Sequence, residues 1–201
     1  MLTTLRRQTG TGLRLLLVMT VLCGIVYPMA IWGVSRIPGL SANAGGSLVG
    51  GDAGSSLIGV DPVAADPAAD PFFHTRPSAS SQGVLGPADT STSGGSNKGG
   101  FDAELLEQVQ QRQTLIAGRE GVEPSAVPVD AVTASASGLD PDISPAYAAL
   151  QEARVARVTG LPVERVRALV ADDTDGRMLG FLGEPTVNVT ELNLAVRAAR
   201  G

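Results

Sequence analysis

The 201-residue sequence contains a single histidine, His74, which limits the metal sites and catalytic sites that the chain can form. A lone histidine excludes a metal site built from paired histidine ligands. It could act as the base of a Ser-His-Asp hydrolase, but the sequence contains no Gly-x-Ser-x-Gly nucleophile elbow. We therefore expect no catalytic residue, and a hydrolase or ligand-binding pocket around His74, Arg76 and Asp140 stays as the alternative.

The run Ser93-Gly94-Gly95-Ser96-Asn97-Lys98 is the one stretch that resembles a phosphate-binding loop. A Gly-rich backbone with hydroxyl groups can surround an anion, and the run is loosely similar to the Ser-Gly-Gly signature of transporter ATPases. No Walker pattern accompanies it. We interpret the run as a tight turn and keep its first five residues as weak candidates for nucleotide or anion binding.

The run Asp172-Asp173-Thr174-Asp175-Gly176 is partly similar to a calcium-binding loop. That register would need an acidic residue at position 171, which is Ala171, and a terminal Glu that is missing. We therefore expect a turn after a helix at this point and no metal site.

These residues all follow one apolar stretch, Leu15 to Val34, which contains no charged side chain. As a helix with a rise of ~1.5 Å per residue it would be roughly 30 Å long, the thickness of the hydrocarbon core of a bilayer. It predicts a single transmembrane helix over residues 15–36, kinked near Gly24 because Pro28 lacks a backbone donor.

The charges that flank this helix predict its orientation. Three arginines precede it within residues 1–14, so the positive-inside rule places that segment in the cytoplasm. We expect a single-pass cell (inner) membrane protein with a juxtamembrane linker over residues 37–54 and one extracytoplasmic domain over residues 55–201. Cleavage after Ala42-Asn43-Ala44 as a signal peptide is the alternative, but the apolar run is longer than in such peptides and ends well before this site.

The charge beyond the helix excludes some partners. All 20 Asp and Glu residues, but only 11 of the 15 Lys and Arg residues, lie beyond residue 36, which leaves a net charge of −9 there. Such a charge argues against binding of nucleic acid. The only cysteine, Cys23, lies in the apolar stretch, so no disulfide can form within the chain.

Hydrophobic periodicity and capping signals predict a mixed α/β domain with few strands. Helices are expected from Asp102 to about Gly118, from Ser144-Pro145 to Gly160, from Pro162 onward, and after Thr190 as the N-cap. Strands are expected at Ser55–Gly59, Val127–Ala134 and Thr186–Val189. The apolar faces expected for the four helices are Leu105, Leu106, Val109 and Ile116; Ala146, Ala149, Leu150 and Ala153; Val163, Val166, Leu169 and Val170; and Leu192, Ala195, Val196 and Ala199. Phe72-Phe73 is expected to anchor a proline-rich loop to the core.

Several motifs in chain order resemble the C subunit (KdpC) family of the bacterial Kdp potassium-transporting ATPase over nearly the full length. The most specific is Val132-Thr133-Ala134-Ser135-Ala136-Ser137-Gly138-Leu139-Asp140-Pro141-Asp142-Ile143-Ser144-Pro145. The others are Tyr27-Pro28-Met29-Ala30, Gly46-Ser47-Leu48, Gly54-Ser55-Ser56-Leu57-Ile58-Gly59, Phe73-His74-Thr75-Arg76-Pro77-Ser78-Ala79, Ser93-Gly94-Gly95-Ser96-Asn97 and Gly183-Glu184-Pro185-Thr186-Val187-Asn188-Val189. The sequence departs from the family pattern at Lys98-Gly99-Gly100-Phe101 and in the Asp-Pro segment before Phe72.

The resemblance implies a non-catalytic accessory subunit of a high-affinity, ATP-driven potassium uptake complex, needed for assembly and stabilisation. The implied partners are a channel-like potassium-binding subunit, the P-type ATPase catalytic subunit, a small single-helix subunit and membrane lipid. ATP is then the substrate of the complex and potassium the transported ion. Modulation of nucleotide affinity by this chain, and hence ATP binding, is a further role that stays open.

Within the helix, Gly24, Tyr27 and Pro28 are predicted to contact partner subunits. Small residues along a transmembrane helix allow a second helix to approach closely, and the aromatic ring of Tyr27 suits the headgroup level.

Within the domain, Ser135, Ser137, Gly138 and Asp140 are predicted to form a docking element. Their short polar side chains can bond to nearby backbone groups in a turn, and Gly138 permits a positive φ. A cation-collecting role for Asp140 and Asp142 is the alternative, although exposed carboxylates attract a monovalent ion only weakly at physiological salt.

Overall fold

A computed structural model describes residues 2–51 and 54–201 of the chain. The chain divides into two compact units, Met1–Ser47 and Leu48–Gly201. It combines helices with two small antiparallel sheets, which confirms the predicted mixed α/β class.

The N-terminal unit is dominated by one long helix. Helix α1 (Leu2–Val21) continues through a π-helical turn (Leu22–Val26) into helix α2 (Tyr27–Ser35), and a short helix α3 (Ser41–Ala44) follows. The continuous stretch Leu2–Ser35 is long and apolar enough to cross a membrane, and none of its residues is buried within the protein.

The π-helical turn contains Gly24, where the sequence predicts a kink. Pro28 has no N–H to donate, which removes one rung of the regular α-helical ladder. Just before it, the N–H of Tyr27 bonds to the carbonyl of Leu22, five residues back, as in a π-helix. The helix therefore accommodates the proline by inserting one residue into a turn rather than by ending.

The C-terminal unit contains the helices that surround the core. They are α4 (Ala103–Glu120), α5 (Val129–Val132), α6 (Pro145–Thr159), α7 (Val163–Asp172) and α8 (Val189–Arg200). Asp102 and Ser144 cap α4 and α6 through their side-chain oxygens, as predicted, and Gly160 ends α6 with a φ of 75°. Helix α8 is capped by Asn188 and not by Thr190, because the Asn188 side chain accepts two N–H groups of the first turn.

The strands are very short. Strands β1 (Leu48–Val49) and β2 (Gly54–Ser55) form one antiparallel pair. Strands β3 (Asp142–Ile143), β4 (Thr174–Asp175) and β5 (Thr186–Asn188) form a second antiparallel sheet with β5 in its centre. The expected strand at 55–59 is thus reduced to one residue, whereas the one at 186–189 is confirmed over three.

The core lies where α6 packs against α4 and α7, where α7 packs against α8, and where α6 and α8 contact β5. It rests on branched aliphatic side chains, alanines and two aromatic rings. The largest fully buried apolar side chains are Tyr147, Phe73, Ile116, Ile143, Leu192, Val155, Val166, Val187 and Val189. Phe73 anchors its loop to this core, as predicted.

The expected strand at Val127–Ala134 is wrong. Pro128 precedes α5 in this segment, and a 3₁₀ turn at Pro124–Ala126 comes before it. Asp130, in the first turn of α5, accepts the N–H of Ser144 at 2.9 Å and its hydroxyl at 2.8 Å. These bonds fix a helical turn where the β-branched residues alone favoured a strand.

The expected inner face of α6 is confirmed only at Leu150, which packs against the core. It is otherwise wrong, because the buried face carries polar side chains. The alanines at 146, 149 and 153 are exposed. The residues that face inward instead are Tyr147, Ala148, Gln151, Glu152, Arg154, Val155 and Ala156. On α4, Leu106 is 59% exposed, and Arg112 is buried together with Ile116.

Two side-chain amides hold the loop at Phe73 and His74 as a neighbouring strand would. Gln151 accepts the N–H of His74 at 2.8 Å and donates to the His74 carbonyl at 3.3 Å. Asn193 accepts the N–H of Phe73 at 2.8 Å and donates to the Phe73 carbonyl at 2.9 Å. Helices α6 and α8 thereby satisfy the backbone of a segment without regular secondary structure.

Candidate functional site

The predicted docking residues Ser135, Ser137 and Gly138 form one tight turn. The hydroxyl of Ser135 accepts the N–H of Gly138 at 3.0 Å and lies 3.1 Å from the hydroxyl of Ser137. The hydroxyl of Ser137 accepts the N–H of Leu139 at 3.1 Å. Gly138 has a φ of 73°, which a residue with a side chain adopts only at a cost. The turn therefore satisfies its own backbone and depends on glycine to close.

The Gly-rich run packs directly against this turn. The N–H of Gly94 donates to the carbonyl of Ser137 at 2.7 Å, and the hydroxyl of Ser93 donates to the same oxygen at 3.1 Å. A Cβ atom on Gly95 would lie 3.0 Å from the carbonyl oxygen of Ala136. Glycine thus permits the two backbones to approach, and the structure brings together two segments that the sequence treats as separate candidates.

A third segment completes the arrangement. The N–H of Ser135 donates to the carbonyl of Pro77 at 2.8 Å. A Cβ atom on Gly138 would lie 2.8 Å from the carbonyl oxygen of Gly94 and 2.9 Å from the hydroxyl of Ser78. We call residues 77–80, 93–97 and 135–140 the three-loop cluster.

Asp140 connects this cluster to the second sheet. It accepts a hydrogen bond from the guanidinium of Arg76 at 3.2 Å and from the N–H of Asp142 at 3.0 Å. Burial, together with the negative charges of Asp140 and Asp175, raises the pKa of Asp142. Across the described ranges, no group of His, Cys, Asp and Glu residues is arranged to hold a metal ion.

A polar pocket of about 520 Å³ opens beside the cluster. Gly95 and Ser96 line it, whereas the Ser93 hydroxyl and the Gly94 N–H are engaged with Ser137. Arg112 also lines the pocket; it is buried and donates to the carbonyls of Val84 at 3.3 Å and Val132 at 3.1 Å.

The charged residues that line this pocket are Lys98, Arg112 and Glu104. No carboxylate pairs with Arg112 in the described part of the chain, and burial lowers its pKa. Lys98, the other cation of the pocket, pairs with Glu104. Asn97, with a φ of 53°, donates its side-chain amide to Gly95 and keeps the run folded.

His74 is buried between two carboxylates. One ring nitrogen lies 2.8 Å from Asp61 and the other 2.6 Å from Asp70. Burial opposes a charge on the ring, but the hydrogen bonds to Asp61 and Asp70 outweigh it and raise the pKa of His74. Because a catalytic triad needs one nitrogen free to bond to serine, this arrangement disfavours the hydrolase alternative. Arg76 pairs with Asp140.

Comparison with known proteins decides the family. The family model described as "KdpC: K+-transporting ATPase, c chain" matches residues 9–198. The chain belongs to the KdpC family. A potassium-transporting ATPase KdpC subunit of Kineococcus radiotolerans is 48% identical over 201 residues, covering 98% of this chain and 97% of the relative.

Further KdpC relatives match at similar length. The KdpC subunit of Polaromonas naphthalenivorans is 47% identical, covering 94% of this chain and 93% of the relative. That of Streptomyces coelicolor is 44% identical, covering 97% and 94%. The match therefore includes both the N-terminal helix and the C-terminal unit.

In this KdpC-family chain, the predicted anchor residues Gly24, Tyr27 and Pro28 lie in and just after the π-helical turn. The Tyr27 side chain is 63% exposed, and a Cβ atom on Gly24 would meet nothing within 4 Å. No described residue of the chain covers this part of the helix.

The sequence analysis predicts no role for Arg154, whose guanidinium bonds to several buried groups near His74. Its guanidinium donates to both carboxylate oxygens of Glu120 at 3.1 and 3.0 Å, and to the carbonyls of Asp70 at 2.8 Å and Phe72 at 2.9 Å. The spacing of Gln151 and Arg154, one turn apart on α6, is the signal that could have indicated a polar inner face.

Proposed function

We propose that this chain is a non-catalytic accessory subunit of an ATP-driven potassium uptake complex, and that it assembles and stabilises the ion-translocating and ATP-hydrolysing subunits. The observation that carries this proposal is the family match over residues 9–198, which includes the apolar helix and the C-terminal unit together. The engagement of both His74 ring nitrogens by carboxylates supports a structural role for the only histidine.

We further propose that residues 15–36, which the helix Leu2–Ser35 contains almost entirely, span the membrane with the amino terminus in the cytoplasm. The length and apolar composition of this helix suit a bilayer. Three arginines precede the apolar run, whereas the chain beyond residue 36 carries a net charge of −9. The positive-inside rule then puts the C-terminal unit in the extracytoplasmic space.

The partners in this proposal are a channel-like potassium-binding subunit, the P-type catalytic subunit and a small single-helix subunit. Gly24 and its neighbours supply a helix face for packing within the membrane. The three-loop cluster supplies a rigid surface outside it, because backbone hydrogen bonds at 2.7 and 2.8 Å join its segments.

Modulation of nucleotide affinity is a second candidate role. The polar pocket favours it, since Gly95, Ser96 and the carboxylate-free Arg112 face the same space. The proposed topology opposes it, since ATP is scarce outside the cell.

Purification of the complex in mild detergent tests the main proposal. With an affinity tag on this chain, we expect the potassium-binding and catalytic subunits to co-purify, and we expect no hydrolytic activity from this chain alone. Recovery of the chain without either subunit would contradict the accessory role. ATP binding to the isolated chain that Arg112→Met abolishes would favour the second role.

A further inference from the structure

The hairpin between β4 and β5 exposes a group of large apolar side chains. Strands β4 and β5 pair in antiparallel fashion, and residues 176–185 connect them. Within this connection Met178 is 71% exposed, Leu179 79%, Phe181 69% and Leu182 48%. None of the four belongs to the core or packs against it.

Hydrogen bonds hold this exposed turn in one shape. Met178 and Leu182 exchange two backbone hydrogen bonds of 2.9 Å, and the N–H of Gly180 donates to the carbonyl of Arg177 at 3.0 Å. An ion pair between Arg177 and Glu184 closes the base at 2.5 Å. The turn is therefore ordered before it meets any partner, which reduces the entropy lost on binding.

The backbone of this turn also contains a costly conformation. Leu179 has a φ of 54°, in the left-handed region that leucine rarely adopts. Gly180 and Gly183 follow with φ values of 81° and 79°. Nothing in the core requires this arrangement, and its effect is to present Leu179 and Phe181 to the outside.

We propose that residues 177–184, which we call the apolar arm, insert into an apolar depression on the extracytoplasmic surface of an integral-membrane subunit of the same complex. This inference rests on the proposed function. Contiguous exposed apolar side chains mark interaction sites, and an aromatic ring that enters a pocket is a frequent source of binding energy.

The charges around the apolar arm specify its partner. The exposed Asp172 and Asp175 lie at the base of the arm, while Arg177 is neutralised by Glu184. The depression that receives the arm therefore has a rim of basic side chains. A bilayer surface fits less well, because a fluid bilayer requires no fixed turn.

The test compares two exposed phenylalanines in the intact complex, purified through a tag on this chain. Phe181→Ser removes the proposed anchor, and Phe101→Ser is the matched control, since Phe101 is fully exposed on a different loop. We expect Phe181→Ser to lower the retained partner subunits by about tenfold, as loss of a buried aromatic anchor does, and Phe101→Ser to change them little. Equal retention in both variants overturns the inference while leaving the proposed function intact. Failure of the wild-type chain to retain either subunit overturns both.

A photoreactive side chain at position 179 gives an independent readout of the occupant. Covalent adducts with one of the integral-membrane subunits, lost when Phe181→Ser is combined with the probe, support the docking arm. Adducts only with lipid, or only with a second copy of this chain, overturn it.

Discussion

Gly138→Ala is expected to destabilise the C-terminal unit by about 1.5–3.5 kcal/mol. Gly138 has a φ of 73°, and its new Cβ atom would lie 2.8 Å from the carbonyl oxygen of Gly94 and 2.9 Å from the hydroxyl of Ser78. The left-handed conformation alone costs alanine roughly 1–2 kcal/mol. Displacing Gly94 also weakens its 2.7 Å bond to Ser137, which is worth about 0.5–1.5 kcal/mol.

Gly121→Ala separates the two contributions. Gly121 has a similar φ of 70°, but a Cβ atom there would meet nothing within 4 Å. Its substitution should therefore show only the conformational cost, roughly 1–2 kcal/mol. The measurement is urea-induced unfolding of the full chain in detergent, followed by circular dichroism, with the free energy of unfolding compared among the three proteins. If Gly138→Ala is no less stable than Gly121→Ala, the contact between the two loops does not hold the cluster together.

Other predictions concern charge, topology and assembly. Because folding raises the pKa of His74, the charged ring stabilises the folded state. This contribution is fully present below the pKa of histidine in the unfolded chain, about 6.5. It is lost as the pH rises through the pKa of His74 in the folded protein. Urea midpoints of wild type should therefore fall over that range, and those of His74→Gln should not. A reporter fused after Gly201 that is active only outside the cytoplasm should be active, and a cytoplasmic reporter there should be silent; the reverse contradicts the orientation. Gly138→Val should reduce recovery of the assembled complex more than Asp140→Asn combined with Asp142→Asn reduces potassium uptake. Loss of uptake by the Asn pair in a normally assembled complex would favour the cation-collecting alternative.

Helix ends in this protein could be predicted from the sequence because their causes are local. Asp102, Ser144 and Gly160 act within a few residues of their own position, so their types alone indicate a cap or a stop. The strand prediction for Val127–Ala134 is wrong because the conformation of this segment depends on Asp130, which bonds to Ser144, fourteen residues away. The prediction for the inner face of α6 is wrong at its three alanines because small apolar residues can stay exposed at little cost, whereas the buried side chain of Gln151 bonds to His74.

In the candidate site, too, local features could be predicted from the sequence and tertiary contacts could not. That residues 135–138 form a turn follows from serine and glycine chemistry within the segment. Its contact with the run at 93–97 depends on tertiary packing, and no local pattern indicates it. The apolar arm was missed because apolar residues in a sequence are usually assigned to a core, and only the structure shows Phe181 exposed.

The amides of Gln151 and Asn193 have a consequence for the order in which the protein folds. Each bonds to a loop residue that is distant in the chain, with separations of 77 and 120 residues. In the described part of the chain, no strand pairs with the loop at Phe73 and His74. Its backbone is therefore fixed only after α6 and α8 have packed. Contacts of such long range close late because the entropy of loop closure must be overcome first. In pulse-labelling hydrogen exchange during refolding, we expect the amides of Phe73 and His74 to gain protection after those of both helices.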